Sequence, residues 1–173
     1  MSKTQKLHGG IVRFRVLANC LMIFLACFAV SSCGKNMDKQ LSSTRDKNLK
    51  VFEDVNVDNP GQEADVSRSI VYGKYTIIDF TSPGCGACQE IRPLLERALE
   101  TRPDVVVRSY DVNRQGAPGI DWESPLVAQY RLNSLPGFKI YNEKGVVIAE
   151  GKQARNLVQE LIEKEIRKQI GQK

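Results

Sequence analysis

One histidine is all that the 173 residues contain, and that residue, His8, lies close to the N-terminus. The rest of the chain therefore has no imidazole for a Cys–His nucleophile or a His-bearing metal site. Long hydrophobic runs are also lacking. The longest, Val16 to Val30 with Asn19 inside it, has 15 residues, short of the ~20 that a permanent membrane-spanning helix needs. Nor is there a lasting excess of one charge. The net charge is +5, but four of the 25 Lys and Arg (Lys3, Lys6, Arg13 and Arg15) precede Cys33, and none of the 20 acids does. Residues 34–173 thus carry 21 bases against 20 acids, without the clustered positive charge on which nucleic-acid affinity rests. No glycine-rich nucleotide-binding motif and no internal repeat is present. Cysteine is scarce, at positions 20, 27, 33, 85 and 88. After Cys33 only Cys85 and Cys88 remain, so a closed tetrahedral zinc site would need carboxylates or a second chain to complete it.

What is there begins with a leader. Basic residues up to Arg15, the apolar run, and then Ser31 and Ser32 before Cys33 have the layout of a secretory signal. Val30-Ser31-Ser32-Cys33 resembles a bacterial lipobox, which implies cleavage before Cys33 and a diacylglycerol on its sulfur. Phe24-Leu25-Ala26-Cys27 is a poorer candidate of the same kind, and a plain signal peptide or an uncleaved anchor are the alternatives. Each of these readings puts the domain outside the cytoplasm, on the periplasmic side if the envelope has two membranes. Residues 34–48, rich in Lys, Asn, Asp, Gln and Ser, read as a solvated tether, and 49–173 as one domain.

Hydrophobic period and punctuation organise that domain. Val51, Phe52, Val55 and Val57 suggest a first strand, and Pro60-Gly61 breaks it before a short helix over 62–72. Tyr75 to Phe80 has the β-branched and aromatic profile of a central strand. After Cys88, Ile91, Leu94, Leu95, Ala98 and Leu99 recur at helical spacing as one apolar face. Val105-Val106-Val107 reads as a buried strand, 113–124 as a loop, and Pro125 to Tyr130 as a short helix with proline in its first turn. Phe138–Tyr141 and Val146–Ile148 form a hairpin signal around Gly145. Residues 153–170 close the chain as an amphipathic helix that buries Leu157, Leu161, Ile162 and Ile166. The order β-α-β-α-β-α-β-β-α predicts an α/β fold, a mixed central sheet with helices on both faces.

The Cys85-Gly86-Ala87-Cys88 run sits where the central strand feeds a helix. Two thiols at this spacing close into a disulfide or attack one. With Asp79 six residues before Cys85, Pro93 five after Cys88, and Leu135-Pro136 before the hairpin, residues 49–170 resemble the thioredoxin fold. The resemblance implies a thiol–disulfide oxidoreductase whose redox centre is its own cysteine pair, with no separate cofactor. Cys85, at the helix mouth, faces unpaired backbone N–H groups that favour thiolate, and is expected to attack; Cys88, one turn on, is expected to resolve the mixed disulfide. Asp79 matches the family's buried acid, which moves protons to and from the resolving cysteine. Pro136 matches the family's cis-proline, and the backbone of Leu135 is expected to pair with the client chain. A static structural disulfide, a solvent-facing Asp79 and a trans turn proline are the plainer alternatives. Pro93 has a structural reading as strong as any other, as a helix kink.

Some positions depart from the family pattern. Gly84 stands where a tryptophan commonly borders the client-binding surface, Gly137 where a threonine is frequent, and no lysine lies within Val105–Val107 to pair with Asp79. Trp122 is a candidate substitute for the missing aromatic surface, with a core or hairpin-covering role as the equal alternative. Gly86-Ala87 contains neither the histidine of strongly oxidising members nor the usual proline, which leaves the redox poise open. A reductase or isomerase direction is expected, because an oxidising compartment already makes disulfides. Protein thiols and disulfides are then the substrates, a membrane protein is the electron donor, and the N-terminal lipid is the membrane contact. Two other readings stand beside it: a Cu(I)-binding module using the two thiolates, and a non-catalytic lipoprotein of the same fold.

Overall fold

A computed structural model describes residues 49–171. The leader with Cys33 and the 34–48 tether lie outside the described residues. Among the described residues, no helix is long and apolar enough to cross a membrane.

Five strands, Phe52–Asp54 (β1), Tyr75–Thr81 (β2), Val105–Asp111 (β3), Gly137–Tyr141 (β4) and Val147–Glu150 (β5), form one sheet in the order β1-β3-β2-β4-β5. β2 is central. It pairs in parallel with β3 from Tyr75↔Val105 to Thr81↔Asp111, and antiparallel with β4 from Thr76↔Tyr141 to Phe80↔Gly137. Strand alternation splits its side chains between two cores. Ile77, with Val105, Val107, Phe138 and Ile140, packs under the helices Gly86–Leu99 (α1) and Gly151–Gly171 (α3). Ile78 and Phe80, with Tyr110 and Val112, pack on the opposite face against Val66 and the helix Pro125–Tyr130 (α2). This is the expected mixed sheet with helices on both faces.

Several boundaries differ from the sequence expectation. Val51 and Val57 lie outside β1, which spans only Phe52–Asp54, and their side chains are exposed, although the Val51 carbonyl still accepts from the Val107 N–H of β3 at 2.7 Å. The helix expected over 62–72 is a single 3₁₀ turn, Val66–Ser69, opened by the Asp65 side chain and ended by an extended Ile70. β3 runs four residues past its apolar start. The buried Arg108 donates to the carbonyls of Lys50 and Val107 and faces Glu53 at 3.5 Å, so a charged residue is accommodated in the strand.

Leu94 and Leu157, both expected to be buried, are 45% and 40% exposed. Each precedes a buried residue, Leu95 or Val158, and so sits about 100° round its helix from the packed stripe. α3 buries Ile162 as expected, together with Ala154, Val158 and Glu165, while Leu161 and Ile166 are only partly buried at the core's edge. Glu165 is held by Lys168 at 2.9 Å and by the Thr101 hydroxyl at 3.1 Å, contacts that keep its carboxyl below the usual range.

Candidate active site

The end of β2 delivers the cysteine pair. A turn at Ser82–Cys85 is fixed by Cys85 N–H donating to Ser82 O at 3.0 Å and Gly84 N–H donating to Ser82 Oγ at 3.1 Å. Gln89 Nε2 donates to Pro83 O at 2.6 Å and ties the turn to the following helix. Cys85 is the N-cap of α1: its backbone is extended, and its Sγ accepts from the Cys88 N–H at 3.2 Å. A sulfur there faces the unpaired N–H groups and the positive end of the helix dipole, which favour negative charge on it. Cys85 and Cys88 are joined as a disulfide with Cα atoms 5.3 Å apart, and both residues are buried. Pro93, inside α1, removes one helical donor further along.

Asp79 lies on the same face of β2 as Ile77, under α1, and is 4% exposed rather than solvent-facing. Its Oδ1 has no hydrogen-bond partner, and neither has the hydroxyl of Ser109, its neighbour across the sheet. Burial pushes the Asp79 carboxyl up to about 7. The Arg92 guanidinium pulls in the other direction, and the charge of Asp54 adds to the rise. Arg92, on α1, grips Asp54 of β1 with two bonds of 2.9 Å, donates to Glu96 at 3.0 Å and lies over the Phe52 ring at 4.5 Å. Arg92, Asp54 and Cys88 line one cleft of about 360 Å³, which is open to solvent. Sequence reasoning missed Arg92 and Asp54. They lie 38 residues apart, and the acid meets Asp54 through the place of β1 beside β3 and Arg92 through the helix α1 over the sheet.

The Leu135–Pro136 bond is cis, as the resemblance implies. Pro136 is buried and Leu135 half-buried at the head of β4, directly before Gly137, which pairs with Phe80. The loop is braced from α3, where Arg155 Nη2 donates to Ser134 Oγ at 2.5 Å and to Pro136 O at 3.1 Å.

Comparison with known proteins decides the family. The model of the thioredoxin family matches residues 62–164, well over half of the chain. The chain belongs to the thioredoxin family. A Streptomyces coelicolor protein named as a thioredoxin is 29% identical to it over 84 residues, 48% of this chain and 56% of that protein. A protein disulfide-isomerase of Hordeum vulgare is 34% identical over 61 residues, 32% of this chain and 12% of the isomerase. This chain thus spans about half the length of the first relative and a small part of the second. The solved oxidised thioredoxin of Plasmodium falciparum aligns with 60% of this chain and 92% of its own, at 26% identity and a TM-score of 0.42.

One departure of this thioredoxin-family chain, Gly84, has a structural origin. A Cβ on Gly84 would collide with the backbone carbonyl of Gly119 and come within 2.8 Å of its Cα. The loop after β3 therefore occupies the space where a tryptophan side chain would begin. Asn113 fixes that loop from inside, donating to Gly119 O at 2.5 Å and accepting from the Asp121 N–H at 3.1 Å. Arg114 adds a bidentate pair with Asp121 at 2.6 and 2.9 Å, which holds the Asp121 carboxyl down at about 2. Trp122 is 44% exposed and stays out of the core.

Proposed function

We propose that this chain is an extracytoplasmic, membrane-held thiol–disulfide oxidoreductase that runs toward reduction or isomerisation. The observation that carries the reading is the Cys85–Cys88 disulfide at the mouth of α1, with a buried carboxyl beneath that helix that titrates near neutrality.

In the reductive direction the Cys85 thiolate attacks one sulfur of a client disulfide. The client's S–S bond breaks, one client sulfur leaves as thiolate, and a Cys85–client mixed disulfide forms. Cys88 gives its thiol proton to the Asp79 carboxylate and attacks Cys85 Sγ, which releases the second client sulfur and closes the disulfide seen here. Two electrons have then passed from the cysteine pair to the client. A dithiol protein donor at the membrane returns them, and as the Cys88 sulfur leaves, Asp79 hands the proton back. A carboxyl near 7 suits both transfers, because it accepts and donates at the same ambient pH. The half-buried Leu135 and the exposed Gly84 turn present the client-binding edge.

The lipobox-like run Val30-Ser31-Ser32-Cys33 supports the location, and the missing nucleotide-binding motif supports a protein donor. Two arms test the proposal on the full chain. With dithiothreitol as reductant, the chain should accelerate insulin-disulfide reduction, and Cys85→Ser should abolish the acceleration; turnover that survives Cys85→Ser contradicts the chemistry. In a bacterial host that processes lipoproteins, Cys33→Ser should move the protein from the membrane to the soluble fraction. An unchanged distribution contradicts the lipid anchor.

A further inference from the structure

Leu94 is the one large apolar side chain that α1 leaves exposed, at 45%. Together with Ile91, Leu135, Pro136 and Ile162 it lines a groove of about 510 Å³ between α1 and α3. Ala87, between the two cysteines, closes the near end of the groove, so it is continuous with the exchange site. Its polar rim is acidic. Glu90 stands on the α1 side without an ion pair among the described residues, and Glu163 stands on the α3 side, where it meets only the outward Arg167 at 2.9 Å. Arg155, the cation of the lining, is turned into the Ser134–Pro136 loop by its two bonds there.

We propose that this groove takes the segment of a client protein next to its attacked cysteine and selects segments that carry an aliphatic residue beside Lys or Arg. The proposal deepens the oxidoreductase reading and rests on it. From Cys85 to Leu94 is about 13 Å along α1, which an extended strand covers in about four residues. The selective positions therefore lie about four residues from the client cysteine. The aliphatic side chain seats on Leu94, Ile91 and Ile162, and the basic one meets Glu90 and Glu163.

The test uses three disulfide-bonded peptides identical except four and five residues from the cysteine, carrying Leu-Lys, Leu-Glu or Gly-Gly, with dithiothreitol as reductant. The kcat/KM for Leu-Lys should exceed that for Leu-Glu by roughly five- to tenfold, the scale of two exposed charge contacts, and the ratio should shrink in ~0.5 M salt. In a Glu90→Lys/Glu163→Lys chain the order of these two peptides should invert. Leu94→Ser should narrow the ratio of Leu-Lys to Gly-Gly. Equal kcat/KM for all three peptides overturns the groove proposal, while loss of turnover with every disulfide would instead strike the exchange reading. A second readout is independent of exchange: NMR titration of the full chain with the Leu-Lys peptide, its cysteine replaced by serine. Shifts centred on Glu90, Ile91, Leu94, Ile162 and Glu163 support the groove, and their absence at millimolar peptide overturns it.

Discussion

Asp79 puts a carboxyl into the run Ile77-Ile78-Asp79-Phe80, where the central strand would take an aliphatic residue. The raised value of about 7 is a statement about stability as well as chemistry. Between about pH 4 and 7 the folded chain holds a proton there that the unfolded chain has lost, so stability falls as pH rises through that window. Above it, the ionised carboxylate costs on the order of 4 kcal/mol relative to the unfolded chain. Asp79→Asn removes this cost. Denaturant unfolding should therefore show the variant several kcal/mol more stable than wild type at pH 8, with the gain shrinking as pH falls toward 4. A gain that is constant with pH would contradict the buried, titrating carboxyl. The acid's burial was legible in the sequence, since three hydrophobic neighbours in a strand leave little room for water. Its electrostatic surroundings were not. Arg92 and Asp54 reach it from a different helix and strand, and no local pattern encodes that meeting.

At the level of elements, the parts best read from sequence were those whose order is set by local pattern: the β2–α1 junction, the cysteine pair at its turn, the cis-proline before β4, and the final hairpin and helix. Each combines a hydrophobic period with a stop or start residue. The parts read poorly depend on a partner element. The 3₁₀ turn at Val66–Ser69 failed to become a helix, and the outward Leu94 and Leu157 were assigned to the core because apolar character alone does not fix the angle round a helix. Gly84 belongs with these, since its reason is the loop 113–124 folding back across it. Gly84→Ala should accordingly destabilise the chain by about 1–3 kcal/mol, because the obstructing atoms are backbone and do not swing away. A chemical denaturation midpoint matching wild type would mean that the Gly84–Gly119 contact is loose.

For the molecule as a whole, family membership and fold follow from residues 49–171, whereas direction and location are proposals that lean on the leader and on the absence of a nucleotide site. The near balance of 21 bases and 20 acids after Cys33 gives the domain no overall field to attract a polyanion, so recognition falls to local surfaces such as the acidic rim beside Leu94. What unites the molecule chemically is an asymmetric pair, with Cys85 at a helix mouth, which we propose attacks, and Cys88, which lines a solvent cleft and which we propose resolves. The most direct measurement is to trap the mixed disulfide. A reduced Cys88→Ser chain, given a disulfide-bonded client and analysed by peptide mass spectrometry, should accumulate a stable adduct on Cys85. A Cys85→Ser chain should form none on Cys88 over the same time. An adduct on Cys88, or none at Cys85, would contradict the account.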